Sequence, residues 1–480
     1  MMGELGGYGF RHDPMDFVEN NQSAQAALVR AVVFGRPTPG DEERIEDVFQ
    51  KVFANQNADG SLEDRHDQGV LAATGETLRN LLEAGCPPER PDVQRAVAAL
   101  RAALDRLPPD KLSDVPCYAV RVLCELGLTD HPAINASLLR MAGEIPSQFG
   151  EGCPWTPFVQ LNALWAGRHV ADVSGAIEQT LAWAEQAVAP PGCSAALGLC
   201  VPWSIVLTVD TLDHPACERI ARTLVPMLLR LQKPDGGWGE PETNSTLRAF
   251  VMLKKYGLLD ELRRLPPLPP DWAVVRSIPV PCEKPWNIAW DDGRLWVHDA
   301  EACAAIAVSP DDGAVLQTLA LPKKPGSTAF GAWDGAVWVL PGKSDQPEKT
   351  LYRIDPSTEQ IREMSLGFSP RHFAGLVRVG GKVLIPDQWE GHVWAFDPAD
   401  PSKSKTLRLA AGMPDWLASD GTAIWASDAW APAIVRTNVG GELLDWGEHP
   451  FGWGGIAFDG QYLWAIDKKN QRICALEKAG

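Results

Sequence analysis

Two adjacent residue pairs in the C-terminal half of the chain could carry acid–base chemistry. They are Arg371-His372 and Trp389-Glu390, and neither recurs in a region that is otherwise built from repeats. A histidine titrates near neutral pH, so His372 could act as a general acid or base. Arg371 could stabilise a developing oxyanion or bind a carboxylate, and Glu390 is a second catalytic candidate.

A third candidate cluster, residues 63–67 (EDRHD), lies in the N-terminal half. His66, beside the carboxylate of Asp67, could serve as a general base near neutral pH. The same residues would also suit a solvated helix start, where the helix dipole favours acidic side chains. The sequence leaves both interpretations open.

The element that would position the C-terminal pairs is a short phrase that recurs five times, at residues 295–299, 337–341, 383–387, 424–428 and 463–467. Its central positions 296, 338, 384, 425 and 464 lie 42, 46, 41 and 39 residues apart. A period near 40 that contains short strands and Gly turns is typical of a β-propeller with one four-stranded blade per repeat. The turn dipeptides Asp292-Gly293, Asp334-Gly335, Gly380-Gly381, Asp420-Gly421 and Asp459-Gly460 agree with this reading.

The propeller should close by pairing its two ends. A strand at residues 273–280 precedes the first full repeat, and the last repeat ends after three strands at Leu476. The early strand can complete the final blade, which removes the free edges of the ring. Five blades follow, with tryptophans 296, 338, 425 and 464 as packing residues between them.

One face of the propeller should gather the loops that enter each inner strand and those that join second to third strands. We place on it the following residues: Trp286, Asn287, Asp299, Glu301, Arg371, His372, Trp389, Glu390, Asp415, Trp416, Asp428, Trp430, Trp453 and Asp467. Aromatic walls with one Arg, one His and several acids predict a small-molecule pocket. The predicted substrate contacts are Trp286, Asn287, Trp389, Trp416, Trp430 and Trp453. The aspartates that recur at one blade position, 299, 387, 428 and 467, are interpreted as turn caps.

Residues 14–260 have the apolar spacing of helices, with segments at 68–84, 93–104, 115–126, 158–166 and 243–256. The turns repeat as well: Asp130 and Asp213 stand in near copies of one turn and are expected to be helix N-caps. At the starts of two inner helices stand Tyr118 and Trp155, which are predicted to line the mouth of a cavity. A Pro-rich stretch near Pro266 predicts a boundary between domains 1–265 and 266–480.

Composition narrows the partners. The formal charge of −18 argues against nucleic-acid binding, which depends on Lys and Arg. The sequence shows neither a signal-peptide pattern nor an apolar run of 18 residues, so a cytoplasmic protein without membrane insertion is expected. The ten cysteines contain no C-x-x-C pair and are read as reduced thiols.

Residues 232–239 read Q-x-x-D-G-G-W-G, with weaker copies at 56–62 and 148–155. This loop resembles the QW motif of squalene–hopene and other terpene cyclases, and related loops occur in the β subunits of protein prenyltransferases. The resemblance covers roughly residues 15–260 and implies an α/α toroid, here an α6/α6 ring of about six helix pairs. The chain lacks the D-x-D-D acid of those cyclases, and the nearest string is Asp210-Thr211-Leu212-Asp213.

Residues 285–297, P-W-N-I-A-W-D-D-G-R-L-W-V, resemble the repeat of the streptogramin B lyase (Vgb-like) propellers. The resemblance covers about residues 272–478. That family is a seven-bladed, metal-assisted lyase that opens a cyclic depsipeptide by elimination. Five blades differ from seven, so no catalytic residue is carried over.

Three functional hypotheses follow for a multidomain α and β protein, an N-terminal α6/α6 toroid followed by a five-bladed propeller. The first is a lyase or cyclase that uses acid–base chemistry on a small, mainly apolar molecule, with the site on the propeller face near the toroid mouth. The second is a non-catalytic binding scaffold. The third is terpene cyclisation in the toroid, which requires an acid that the sequence does not reveal. No cofactor is predicted, although a divalent metal among the acidic residues of the propeller face stays open, as does the oligomeric state.

Overall fold

The computed structural model describes residues 7–62, 69–149, 155–188, 202–238, 244–322, 328–342, 349–370, 373–388, 391–411, 414–428, 433–452 and 454–479. These residues form two compact units, one helical and ending at Leu268, and one of β-strands that begins at Pro269. None of the described helices combines the length and apolarity needed to cross a bilayer.

The helical unit alternates helices with short turns. Its helices are α1 (Pro14–Asn20), α2 (Ala24–Leu28), α3 (Asp41–Phe53), α4 (Val70–Glu83), α5 (Pro91–Leu104), α6 (Cys117–Glu125), α7 (Pro132–Glu144), α8 (Trp155–Gly167), α9 (Ser174–Ala187), α10 (Pro202–Val209), α11 (Pro215–Arg230), α12 (Ser245–Lys255) and α13 (Leu258–Arg263). A π-helical turn (Val29–Val33) extends α2, and 3-10 turns cover Pro109–Lys111 and Ile145–Gln148. The five predicted helical segments correspond to α4, α5, α6, α8 and α12, so the helical character of this half is confirmed.

Sequence neighbours pack as pairs: α4 on α5, α6 on α7, α8 on α9, α10 on α11 and α12 on α13. The first members of these pairs also contact one another in order, α4 with α6, then α8, α10 and α12, and α12 contacts the π-helical turn after α2. The helices therefore form an inner series and an outer series. Two of the inner helices, α8 and α10, are the most apolar of the longer helices, as expected for helices that are covered on several sides.

The predicted N-caps are wrong by one residue. The structure places His131 at the N-cap of α7 and His214 at that of α11, in place of Asp130 and Asp213. Each histidine Nδ1 accepts a hydrogen bond from the amide two residues later at 3.2 Å. A proline occupies the first helical position in both cases, so the residue immediately before it is the one with capping geometry.

The loops that begin at Gln56 and Gln232 connect helices through side-chain hydrogen bonds. Gln232 donates from Nε2 to the carbonyl four residues later at 3.1 Å and to that of His12 at 2.8 Å. Gln56 repeats the arrangement, donating to the carbonyl four residues later at 2.8 Å and to Asp92 at 2.9 Å. Trp238 is fully buried and donates to Leu228 O at 2.8 Å. Each loop therefore fastens the end of one helix to the start of another.

The second unit consists, in the described residues, of five four-stranded antiparallel sheets. Their strands are β1 (Trp272–Pro279), β2 (Pro285–Asp291), β3 (Arg294–Asp299), β4 (Ala304–Val308), β5 (Val315–Ala320), β6 (Thr328–Trp333), β7 (Ala336–Pro341), β8 (Thr350–Ile354), β9 (Ile361–Ser365), β10 (Val377–Val379), β11 (Lys382–Asp387), β12 (His392–Asp397), β13 (Asp400–Leu407), β14 (Pro414–Ser419), β15 (Ala423–Asp428), β16 (Ala433–Asn438), β17 (Leu443–Glu448), β18 (Ile456–Phe458), β19 (Leu463–Asp467) and β20 (Arg472–Lys478). The inner strands β2, β6, β10, β14 and β18 contact one another in a closed ring. The predicted five-bladed propeller is confirmed.

Closure of the ring follows the prediction. The final blade has the strand order β1-β20-β19-β18, so the first strand of the unit is the outer strand of the last blade. Its register runs from Trp272 opposite Lys478 to Pro279 opposite Arg472. Two of the Asp-Gly turns form two-residue type I′ hairpins: Asp292 and Gly293 have φ of 49° and 76°, and Asp334 and Gly335 have φ of 53° and 67°. The turns at Asp420-Gly421 and Asp459-Gly460 join their strands through longer loops.

Backbone lies against backbone at the centre of the ring, which accounts for glycines in the inner strands and in the loops that lead into them. A Cβ on Gly331 would lie 2.2 Å from the Leu376 carbonyl oxygen, and one on Gly375 would lie 2.4 Å from the Leu417 nitrogen. Phe330 N donates to Ala374 O at 3.2 Å across this contact. Five blades bring the inner strands this close only where side chains are absent.

Candidate functional site

The described residues contain part of the predicted site. Outside them lie the predicted residues Arg371, His372, Trp389, Glu390, Trp430, Trp453, His66 and Asp67. Trp155 begins α8, and its side chain is likewise outside the described set. The placement of Trp286, Asn287, Trp416 and Tyr118 is described, and the first three lie at the predicted face of the propeller.

Trp286 and Trp416 come together although they belong to different blades. Trp286 lies at the start of β2 and Trp416 near the start of β14, and their ring centroids are 5.8 Å apart in an edge-to-face arrangement. Lys468, which follows β19, places Nζ 4.7 Å from the Trp286 centroid and 5.2 Å from that of Trp416. An ammonium over two indoles is held by cation–π attraction, which strengthens as water is excluded.

Asp415 is the carboxyl group of this site. It precedes Trp416 in β14 and is 4% exposed. Burial raises the pKa of Asp415 to about 7, with Lys468 opposing that shift and the nearby Asp428 adding to it. Burial also lowers the pKa of Lys468, and Asp415 opposes this change. A carboxyl with this pKa is populated in both protonation states at neutral pH, as a general acid–base group requires.

His449 lies in the loop from β17 to β18, which leads into an inner strand on the same face. It is 1% exposed, and burial lowers its pKa to about 4, so the ring is neutral at physiological pH. Nδ1 accepts from the Phe451 amide at 3.3 Å, which leaves the proton on Nε2. The backbone of Gly454 is close to the ring, yet no hydrogen bond of ordinary geometry joins Nε2 to a described residue.

Asn287 lies next to this cluster, between the inner strands of the propeller. It is 1% exposed, and its Nδ2 donates to Ala374 O at 2.5 Å and to Phe330 O at 3.2 Å. Its Oδ1 accepts from the Ile288 amide at 2.8 Å. The side chain thus links the inner strands of the first two blades to the loop that enters the third. Because its amide is engaged with the backbone, the structure favours a structural role in place of the predicted substrate contact.

Two of the recurring aspartates, Asp299 and Asp467, behave as turn caps, whereas Asp387 Oδ2 accepts from the indole Nε1 of Trp394 at 3.1 Å. Asp299 Oδ1 accepts from the amides of Glu301 and Ala302 at 2.9 and 3.1 Å. Asp467 Oδ1 accepts from the Asn470 amide at 3.1 Å. The carboxylates of Asp299 and Asp467 are occupied by hydrogen bonds from amides of their own loops, and in this respect they differ from Asp415.

The interior of the helical unit holds a second concentration of charge. Arg121 Nη2 lies 2.8 Å from Glu83 Oε1, and Arg248 pairs with both Glu83 and Asp210, the latter at 3.0 Å. Burial raises the pKa of Asp210 and lowers that of Arg248 to about 9. Asp210, from the acidic string noted above, is therefore an ion-pair partner in this network.

Tyr118, predicted to line a cavity mouth, is half-buried at the start of α6 and lies beneath the guanidinium of Arg79, 4.8 Å from its ring centroid. A surface pocket of about 440 Å³ lies elsewhere in this unit, between Phe17, Lys233 and Trp238. Its acidic residue, Asp235, accepts from the Gly237 amide at 3.0 Å.

Within the described residues, no three His, Cys, Asp or Glu side chains are close enough together to hold a metal ion. Seven cysteines in those residues form no disulfide: Cys86, Cys117, Cys124, Cys217, Cys282, Cys303 and Cys474. Burial raises the pKa of Cys117 to about 11, which makes it a poor nucleophile.

No protein-family model and no curated protein matches the chain. Among solved structures, a glutaminyl cyclase from Myxococcus xanthus aligns at 12% identity and a TM-score of 0.36, over 43% of this chain and 95% of that one. A streptogramin B lyase aligns at 14% identity and a TM-score of 0.28, over 43% and 98%. Virginiamycin B lyase from Staphylococcus aureus aligns at 18% identity and a TM-score of 0.27, over 41% and 66%. The propeller thus has streptogramin B lyase-like neighbours, and these likenesses carry no conclusion about activity.

The sequence analysis placed Asp415 on the propeller face without selecting it as a site residue, and it did not name Lys468 or His449. The available signal was non-recurrence: Lys468 follows the repeated Asp467, and no other repeat has a lysine there. The repeat could not predict that Asp415 and Lys468, which belong to different blades, lie close together.

Proposed function

We propose that the protein is a small-molecule lyase or cyclase whose acid–base site is the face cluster, defined as Trp286, Asp415, Trp416, His449 and Lys468. The observation that carries the proposal is a buried carboxyl, Asp415, with a pKa near 7 beside a half-buried ammonium that rests on two indoles. Perturbed titratable groups of this kind concentrate at functional sites.

Each group has a role in an elimination. Ionised Asp415 would take a proton from a carbon next to a carbonyl, and the C–H electron pair would form a double bond as the bond to the leaving group breaks. Lys468 and the Nε2–H of His449 would stabilise the charge that develops on the carbonyl oxygen. The proton on Asp415 would then pass to the departing group. The reverse sequence closes a ring by addition, so one arrangement serves both reaction types.

The indoles favour an apolar substrate. Trp286 is half-buried and Trp416 is fully buried, so substrate would reach the cluster from the side of Trp286 and Lys468. Contact with the two indoles would contribute to substrate affinity through burial of apolar area, while Asp415 and Lys468 would orient the substrate.

The test compares wild type with Asp415→Asn, which keeps the shape of the side chain and removes its basicity. The first probes are quinupristin, which is named with an inactive virginiamycin B lyase structure, and a compound with a glutaminyl group, chosen after the glutaminyl cyclase. A library of cyclic esters and lactams follows. Chromatography coupled to mass spectrometry detects the product, and in D2O the addition direction leaves one solvent deuterium on the carbon that receives the proton. Loss of a general base should lower turnover by about 10²- to 10⁴-fold. Asp355→Asn, at an exposed turn, is the matched control and should keep full activity.

The alternative, a non-catalytic binding protein, predicts a different pattern. A ligand that quenches tryptophan emission yet is recovered unchanged, with no deuterium incorporated, would favour that function. Turnover that survives Asp415→Asn would leave an enzyme but remove Asp415 from its mechanism.

For the helical unit we propose the α6/α6 toroid. In support, six helix pairs can be counted, the inner helices contact in sequence, and Val32 lies 3.2 Å from the position of a Cβ on Gly85, at the end of α4. Terpene cyclisation there is less favoured, because a buried network of Arg and acidic side chains joins α4, α6, α10 and α12. A carbocation needs apolar and aromatic surroundings, and guanidinium groups would repel it.

A further inference from the structure

Arg79 stands out among the buried charges of the helical unit. It lies in α4 and is 4% exposed. Its Nη2 donates to Asn80 Oδ1 at 2.7 Å, whereas Nε and Nη1 have no hydrogen-bond partner in the described part of the chain. These two nitrogens carry three of the five N–H donors of a guanidinium. Unpaired buried donors are rare because each loses its hydration without compensation.

The neighbouring acids are already engaged. Glu83 is shared by Arg121 and Arg248, and Asp210 pairs with Arg248. Glu76 lies one turn before Arg79. Its charge raises the pKa of Arg79, but no ion pair joins the two residues. Arg121 has a second acidic partner, Glu125, at 2.8 Å, so of these three buried arginines Arg79 is the one without an ion pair in the described part of the chain.

The guanidinium is held in a fixed orientation. The ring of Tyr118 covers one face, with its centroid 4.8 Å from Cζ. Asn80, which receives the Nη2 bond, is anchored through its carbonyl by Asn244 Nδ2 at 3.4 Å. A planar fork that is stacked on one face and tied at one nitrogen is prepared to bind a planar or tetrahedral oxyanion with its remaining donors.

We propose that Arg79 is the centre of an oxyanion-binding site inside the helical unit, and that its ligand carries a carboxylate or phosphate group. Tyr118 and Cys117, both half-buried at the start of α6, mark the side from which the group would enter. The bound anion would give Arg79 the counter-ion that the described residues do not provide. The site is separate from the face cluster and does not depend on its chemistry.

The experiment measures binding to the full chain by calorimetry and by the thermal transition. Sodium phosphate and sodium acetate are the probes, at constant ionic strength set with sodium chloride. Wild type should show saturable binding and a rising Tm with one of the two probes, which identifies the acid group. Arg79→Met should weaken that binding by about tenfold or more. Arg168→Met is the matched control, since Arg168 also stacks on an aromatic ring, the indole of Trp165 at 4.2 Å, but is exposed.

A second readout separates this proposal from a merely structural role. Without added anion, Arg79→Met should keep or raise Tm, because it removes a buried charge that lacks a counter-ion. If Arg79→Met fails to fold, Arg79→Lys keeps the charge but loses the fork, and it should bind the probe at least about tenfold more weakly. The proposal is overturned if neither probe shifts Tm beyond the effect of ionic strength, or if the Arg79 variants respond as wild type does. Turnover at the propeller is not used, so these outcomes are independent of the proposed enzymatic function.

Discussion

Burial shifts the pKa values of Asp415 and Lys468 toward their neutral forms, and each group partly offsets the shift of the other. Asp415 keeps its proton to about pH 7, and Lys468 loses its own more readily than an exposed lysine. Asp428 works against ionisation of Asp415 from the next strand of the blade. The combination gives one group that can both accept and donate a proton without a large change in pH.

This pairing predicts a pH dependence of stability. Folding raises the pKa of Asp415 from 3.8 to about 7, so the native protein retains a proton that the unfolded chain releases between these values. The contribution of Asp415 is full below about pH 4 and is lost as pH rises through 7. Wild type should lose on the order of 2–4 kcal/mol from this group between pH 4 and 8.

Urea unfolding followed by tryptophan emission checks this expectation, because 14 of the 19 tryptophans lie in or beside the propeller. Asp415→Asn should flatten the pH profile in that window. An unchanged profile in the variant would show that Asp415 ionises normally in the native state.

The buried network of the helical unit makes a contrasting prediction. Arg248→Met leaves Asp210 without its guanidinium and removes one partner of Glu83. Loss of one member of a buried ion pair costs about 3–5 kcal/mol in free energy of unfolding. The control is Arg101→Met, whose partner Asp130 is 71% exposed and whose loss should cost less than about 1 kcal/mol. Equal Tm values for the two variants, measured by circular dichroism at 222 nm, would contradict the assignment.

At the scale of elements, the inner strands depend on glycine. Gly331→Ala would bring a methyl group within 2.2 Å of the Leu376 carbonyl, and backbone cannot retreat easily at the centre of a ring. We expect a loss of about 1–3 kcal/mol or more. Gly143→Ala in α7, where the space is open, should instead raise stability by up to about 1 kcal/mol. Chemical denaturation of both variants tests the pair, and a tolerated Gly331→Ala would mean that the blades can move apart.

The sequence periodicity was sufficient to predict the strands and helices. It was not sufficient to predict which side chains these elements place next to one another. The repeat of about 40 residues and the Asp-Gly turns predicted the blades, their order and the closing strand, because each depends on local sequence. The helix N-caps were misplaced because a proline fixes where helical geometry begins, whereas the capping preference for Asp is only a tendency. Arg79 is indistinguishable in sequence from a surface arginine. Its isolation results from burial and from the engagement of Glu83 by other helices.

At the scale of the whole molecule, the closing strand offers a direct test of the propeller. Ser277 of β1 lies opposite Cys474 of β20, with Oγ and Sγ 3.7 Å apart. Ser277→Cys would place a second thiol there and allow a disulfide across 197 residues of chain. In the chain-entropy description such a link stabilises by up to about 5 kcal/mol.

Oxidised Ser277→Cys should therefore unfold at higher urea concentration than its reduced form, while Ser277→Ala should be insensitive to reductant. Failure to cross-link under oxidising conditions would show that the first and last strands are not paired as described.

The same closure orders events on the ribosome. The last blade needs its outermost strand from residues 272–279 and its other three from residues 456–478, so the ring stays open until residues 456–478 have been translated and have left the exit tunnel. The helical unit, complete well before that moment, is free to fold first, as nascent domains generally do. A stalled or prematurely terminated chain would thus present an unpaired sheet edge to the cell, a signal that chaperones and proteases can act on.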